Sequence, residues 1–286
     1  MKRWNILYRG PLSSCNYGCE YCPFAKTRNT REELKDDETR LLRFVDWVAH
    51  QTDREIGILM TPWGEALIHR YYRDAIRQLS HLPHVYRVAI QTNLSAPVDF
   101  LRDCDLDTAA LWTTYHPTQV RFEKFLSRCQ DLDDIGARYS VGVVALKEAE
   151  DDIKKLHAAL NPNTYLWLNA YKRDPRYYEE SDLKTFAAID PHFRTNTTYH
   201  DSLGKACRAG HESFTIDGEG NARRCHFVDE PPLGNIYRDG NQFPGKLQPQ
   251  ACPNQTCGCH IGYVHLKTMG MDKVYGDGIL ERIPAE

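Results

Sequence analysis

The sequence predicts an α/β fold: a partial (β/α)6 barrel with a small Cys-rich β-hairpin extension at its C-terminal side. Three observations lead there. Between Trp4 and Tyr171 short β-type runs alternate with helical patterns, the signature of βα units around a parallel sheet. Those units number six, which makes an open or partial barrel rather than a closed eight-stranded one. From Cys207 onward the chain turns rich in Gly, Pro and Cys, with too little apolar material for a core of its own.

The elements follow in order. Strands are expected at Trp4 to Tyr8, Glu55 to Met60, Tyr86 to Gln91, Ala109 to Thr113, Tyr139 to Leu146 and Thr164 to Ala170. Helical spacing places Leu41, Leu42, Val45, Trp47 and Val48 on one helix, and Tyr71, Tyr72, Ala75, Ile76 and Leu79 on the next. Glu123 to Leu132 and Glu148 to Leu160 make two more, with weaker periodicity around Phe100. Beyond Lys172, turn-forming clusters surround one short helix near Ser181 to Ile189, so residues 173–206 read as a linker. Asp217-Gly218-Glu219-Gly220-Asn221, between two β-prone runs, reads as a hairpin turn. The domain plan is therefore a barrel over 1–172, the linker, and a metal-stapled extension with a tail over 207–286.

Composition narrows the function. A chain of 286 residues buries a full core, and a formal net charge of -3 sets up no field that would gather nucleic acid or an anionic membrane. Met1 to Tyr8 lacks the apolar run of a signal peptide and no segment has the apolar length to span a bilayer, so a soluble, cytoplasmic protein is expected. Ten cysteines in such a chain point to metal or catalysis before disulfides. Eight fall into two groups, and Cys104 and Cys129 stand apart as inert buried thiols.

Cys15, Cys19 and Cys22 lie directly after the first strand, in the loop at its carboxyl end, where α/β proteins place their chemistry. Spacings of three and two residues wrap one compact cluster, and Gly18 is expected to let the backbone turn tightly inside the loop. Closed zinc sites take four ligands, and no fourth Cys or His lies within the loop. Three thiolates on a four-iron cluster leave one iron open to a cofactor.

This pattern, Cys-x3-Cys-x-aromatic-Cys with Tyr21 as the aromatic, resembles the signature of the radical SAM superfamily. The resemblance implies a 4Fe-4S cluster on Cys15, Cys19 and Cys22, with the open iron chelated by S-adenosyl-L-methionine (SAM). One electron on that cluster cleaves SAM to a 5'-deoxyadenosyl radical that abstracts hydrogen from an organic substrate. It also implies supporting positions. Gly64 and Glu65 match the family's Gly-Gly-Glu-Pro segment, which meets the SAM ammonium, while Trp63 and Ala66 depart from it. Gln91-Thr92-Asn93 resembles Thr-Asn-Gly, with Leu94 in place of the glycine. Thr113, Thr114 and His116 close the fourth strand, where polar residues reach the SAM ribose or carboxylate; for His116 a role in holding a turn is the equal alternative. Gly142 and Asn169 stand where adenine lies against backbone.

The rear group, Cys207, Cys225, Cys252, Cys257 and Cys259, resembles the opening of SPASM and Twitch extensions, which present cysteines to an auxiliary cluster. Five thiols suffice for one auxiliary 4Fe-4S cluster, held by Cys207, Cys225, Cys257 and either Cys252 or Cys259; a four-thiolate zinc site is the alternative.

The implied function is a radical-mediated oxidation or rearrangement of a small molecule or peptide, fed by an electron donor such as a flavodoxin or ferredoxin. A peptide maturase is the first alternative; with Cys15 so near the start, it would need a separate leader-binding protein. A non-catalytic iron-sulfur or zinc protein is the alternative from another class.

Overall fold

The computed structural model describes residues 2–24 and 27–285. Met1 and Glu286, which the sequence reading places in the first strand-like stretch and the tail, lie outside them. Six strands run parallel in chain order: β1 (Lys2–Arg9), β2 (Arg54–Met60), β3 (Val85–Thr92), β4 (Ala109–Tyr115), β5 (Arg138–Val144) and β6 (Leu166–Asn169). Between them lie α1 (Arg31–Ala49), α2 (Arg70–Ser80), α3 (Phe122–Ile135) and α4 (Glu150–Ala159). The crossover from β3 to β4 holds only a 3-10 turn, Asp99–Asp103, which is why periodicity around Phe100 is weak. α1 starts at a capping box: the Thr30 hydroxyl accepts from the Glu33 N–H, and the Glu33 carboxylate from the Thr30 N–H. Its Leu41, Phe44, Val45 and Val48 are buried against the convex face of the sheet, with Tyr72, Ala75, Ile76 and Leu79 of α2 beside them.

After β6 come α5 (Glu180–Ile189), α6 (Phe193–Asn196) and the short strands β7 (His200–Asp201) and β8 (Ala206–Cys207). The expected extension then joins the main sheet. β9 (Ser213–Asp217) pairs in parallel with β1, Arg9 opposite Asp217, and turns antiparallel into β10 (Asn221–Arg223) and β11 (Gly234–Asn235). The sheet thus has nine strands, in the order β11-β10-β9-β1-β2-β3-β4-β5-β6. Two further short strands follow: β12 (Gln250–Ala251) pairs with β8, and β13 (Thr256–Cys257) with β7.

Parallel strands present apolar side chains on both faces, so the concave face also needs a cover. The C-terminal segment supplies it. α7 (His260–Tyr263), α8 (Met271–Tyr275) and the stretch through Arg282 lay Tyr263, Val264, Leu266, Met271, Tyr275, Ile279 and Leu280 against Leu7, Leu59, Ala89, Ala110, Trp112 and Trp167. Glu281, fully buried, fixes the plug: its carboxylate meets Arg87 at 3.1 Å and Arg138 at 2.5 Å, and its carbonyl accepts from the Ser140 hydroxyl at 2.6 Å. The apolar residues of the rear segment do not build a separate core; they cover one face of the nine-stranded sheet.

Candidate active site

The loop from Ser14 to Phe24 leaves the carboxyl end of β1, and its placement depends on backbone contacts with the exit of β2. The Glu65 N–H donates to the Ser14 carbonyl at 3.1 Å, and the Trp63 N–H to that of Leu12 at 3.2 Å. Such proximity leaves no room for a side chain at position 64, where a Cβ would stand 1.8 Å from the Ser14 oxygen. Trp63 does not obstruct the approach: its ring points outward onto Phe24, with the Arg9 guanidinium 3.8 Å from its centroid. Gly18 behaves otherwise than expected. Its backbone is not left-handed and a Cβ there would meet nothing closer than 3.9 Å, so its contribution is the N–H that donates to Gln119 Oε1 at 2.8 Å.

Cys15, Cys19 and Cys22 all line one cavity of about 210 Å³, together with Gly64, Glu65, Asn93, Thr114 and His116. Burial raises the pKa of Cys15 and of Cys19, so neither environment yields a thiolate without a positive partner. Among the described residues no three His, Cys, Asp or Glu side chains are already gathered closely enough to hold an ion as they stand. The three thiols share one chamber; a cluster would draw them together across it.

Asn93 and His116 hold this loop. Asn93 Nδ2 reaches Asn16 Oδ1 at 2.9 Å and the Cys15 sulfur at 3.7 Å. His116 Nδ1 meets the Tyr21 hydroxyl at 2.7 Å and the Cys19 sulfur at 3.4 Å, with its ring stacked on Tyr21. Burial lowers the His116 pKa to about 4, so the imidazole is neutral at pH 7. His116 thus braces the loop while also lining the cavity.

Glu65 is 3% exposed, and its carboxylate accepts from the Leu67 N–H, the Thr92 hydroxyl and the Asn93 N–H at 3.1, 2.7 and 2.6 Å. Burial raises its pKa to about 7 despite those donors. The residue ties the exit of β2 to that of β3 while lining the cavity. Leu94, next to Asn93, has φ 56°, the left-handed conformation that glycine adopts freely. A leucine thus holds a backbone shape for which glycine is the unstrained residue.

Two expected positions sit differently. Thr113 is fully buried and its hydroxyl donates to the Ser140 carbonyl at 2.8 Å; because side chains alternate along β4, Thr114 lines the cavity instead. At Gly142 a Cβ would stand 2.0 Å from the ring of Trp167, so the absent side chain admits that indole. Asn169 lines a second, larger cavity of about 820 Å³. Phe24, Trp63, Gln91, Trp112 and Trp167 line both chambers; Trp63 and Gln91 stand in the two segments that resemble family motifs, while Trp112 and Trp167 carry no motif.

The five rear cysteines lie within electrostatic reach of one another, and Cys257 and Cys259 line the second cavity. Burial raises the Cys257 pKa to about 12, with further increments from Cys225, Cys252, Cys259 and Cys207. Cys225 is raised to about 11 by burial and then by Cys207, Cys252 and Cys259. Cys207 and Cys252 are buried in the inner core, with Cys225 and Cys257 packed against it. Cys259 lines the second cavity, facing Lys172, Arg282 and Arg9. As they stand, no three of these thiols are gathered closely enough to hold an ion.

No protein-family model and no curated protein matches this chain. Solved structures share its fold. Streptococcus suis SuiB aligns at 14% identity and a TM-score of 0.57, over 86% of this chain and 66% of that one. Native anSMEcpe with bound AdoMet and Kp18Cys peptide aligns at 14% identity and 0.56, over 86% and 81%. Native anSMEcpe with bound AdoMet aligns at 14% identity and 0.53, over 85% and 83%. This chain therefore has a mixed α/β architecture, a parallel sheet with helices, in common with proteins that bind AdoMet.

Proposed function

We propose that this chain is a radical SAM enzyme acting on an organic substrate held in the larger cavity. The observation that carries the reading is the single chamber at the carboxyl end of the parallel sheet, lined by Cys15, Cys19 and Cys22 together with Gly64, Glu65 and Asn93. Two solved structures of this fold hold AdoMet. The three cysteines would carry the cluster, and Glu65 and neighbouring carbonyls would accept from the SAM ammonium. The bound pair would supply reductive cleavage of a sulfur–carbon bond and a 5'-deoxyadenosyl radical that removes hydrogen from substrate. This chain's part is to orient and to exclude water: Trp63, Trp112 and Trp167 wall the passage between the chambers.

In the same proposal, Cys207, Cys225, Cys252 and Cys257 hold an auxiliary 4Fe-4S cluster, with zinc as the alternative occupant. A flavodoxin or ferredoxin would deliver the electron. No helix among the described residues is long and apolar enough to cross a membrane.

Anaerobic reconstitution with iron and sulfide, followed by SAM and a reductant, tests the reading. The expected product is 5'-deoxyadenosine, lost when Cys15, Cys19 and Cys22 are replaced by Ala. Its absence from the unaltered chain would favour a non-catalytic metal protein instead.

A further inference from the structure

The larger cavity has a strongly biased wall. Arg9, Lys172 and Arg282 line it, and no Asp or Glu among the described residues does. None of the three forms an ion pair with a described carboxylate. Arg9 spends its Nε–H on the Thr61 carbonyl at 2.6 Å and lies flat on Trp63. Lys172 donates to the carbonyls of Asn196, at 2.8 Å, and Gly258. Arg282 is the extreme case. It is 1% exposed and its Nε has no hydrogen-bond partner among the described residues; the contact that holds it is the Trp167 face, 4.4 Å from its guanidinium carbon. Asp190 acts on it only through its field, its oxygens being bonded to Tyr165, Leu168 and His192; a desolvated guanidinium that forms no ion pair is costly, and an arriving anion would relieve that cost. Two histidines add to the pattern. His226 and His260 line the same cavity with buried Nε2 atoms that no described group satisfies.

We propose that this wall recognises an anionic oxygen group, a carboxylate or phosphate, on the substrate, with Arg282 and Lys172 as its principal partners. The assignment rests on the radical SAM reading for calling the occupant a substrate; the cation-lined wall stands without it. The guanidinium fork matches two oxygens of either group, and Lys172 adds a point charge. The rest of the lining is rich in aromatic rings, Phe24, Trp63, Trp112, Trp167 and Phe227, with Arg9 over Trp63 and Arg282 over Trp167. The occupant is therefore an organic anion with an apolar or ring-shaped body, its charged end on the Arg282 wall and its other end toward the passage to the first chamber.

Calorimetric titration of the anaerobically reconstituted full chain, with and without SAM, tests this with three probes: phenyl phosphate, benzoate and, as the neutral control, benzyl alcohol. The expected result is binding of at least one anion and not of the alcohol. That binding should weaken about tenfold or more in Lys172→Met and in Arg282→Lys, which keeps charge but loses the fork. SAM affinity should move less than twofold in either variant. The stronger anion identifies the head group. Equal binding of benzyl alcohol, no binding of either anion, or unchanged affinity in folded Lys172→Met would overturn the proposal. So would a parallel loss of SAM affinity, which would assign the cations to the SAM carboxylate, or a loss of rear-site metal, which would assign them to Cys259 and its neighbours. Failure of the unaltered chain to bind SAM would remove the radical SAM reading, while the SAM-free titration still decides the anion site.

Discussion

Gly64 and Ser14 touch backbone to backbone: a Cβ at position 64 would stand 1.8 Å from the Ser14 oxygen and 2.5 Å from its carbonyl carbon. No rotamer change relieves such a contact, so the loop bearing Cys15 keeps its place only while residue 64 has no side chain. Gly64→Ala should destabilise the protein by about 1–3 kcal/mol and lower front-site iron, because the loop must shift away from Glu65. Gly18→Ala is the control, with no atom nearer than 3.9 Å to the added carbon. Thermal unfolding and iron analysis of the pair check this; equal behaviour of the two variants would refute the close-approach argument.

Glu65 makes stability depend on pH. Its folded pKa, raised by burial to about 7, lies above its ordinary 4.5, so the native state binds this proton more tightly than the unfolded chain does. The contribution is complete below pH 4.5 and is lost as pH rises through 7. Relative to Glu65→Gln, the unaltered protein should lose up to about 3 kcal/mol of stability between pH 4.5 and pH 8. SAM binding should run the opposite way, strengthening as the carboxylate ionises to meet the ammonium. Denaturant titrations and SAM affinities across that range provide the measurement, and a flat difference between the two proteins would remove Glu65 as the titrating group.

Leu94 sets two effects against each other. A left-handed leucine costs about 1–2 kcal/mol, which Leu94→Gly would recover. The side chain is also 2% exposed, and emptying such a site costs about 2–5 kcal/mol. Burial wins, so Leu94→Gly should destabilise by about 1–3 kcal/mol. A stabilised variant in chemical denaturation would show that strain dominates.

The inner plug depends on a buried charge set. Truncation in Glu281→Ala leaves Arg87 and Arg138 facing a void at the end of the concave face. A loss of about 3–5 kcal/mol is expected. Measured by urea unfolding, a change under 1 kcal/mol would mean that the apolar contacts of Tyr275, Ile279 and Leu280 hold the segment unaided.

In the proposed assignment the rear thiols divide four to one. Ser substitution at Cys207, Cys225, Cys252 or Cys257 should remove the rear metal, whereas Cys259→Ser should keep it. Metal-to-protein ratios in each variant decide the set, and loss of metal in Cys259→Ser would move Cys259 into it.

By itself the sequence determined what is local in the chain. Periodicity located the six parallel strands and the helices between them, because burial on a sheet or helix face repeats every two or 3.6 residues. Spacing likewise put three cysteines on one loop, since a span of eight residues can bring them round one point.

Only the tertiary structure decided what depends on distant residues sharing space. Thr114 rather than Thr113 reaches the chamber because β4 is pleated with Ser140 behind it, and Gly142 is empty because Trp167, on the neighbouring strand, fills the space. Leu94 shows the same separation: its backbone shape belongs to the loop, while its identity belongs to the core around it. Arg9, Lys172 and Arg282 lie up to 273 residues apart and carry no motif; they line one cavity because the C-terminal segment returns to pack on the sheet that β1 belongs to. Sequence patterns record the surroundings of each residue along the chain, and a cavity wall assembled from three separate segments leaves no such record.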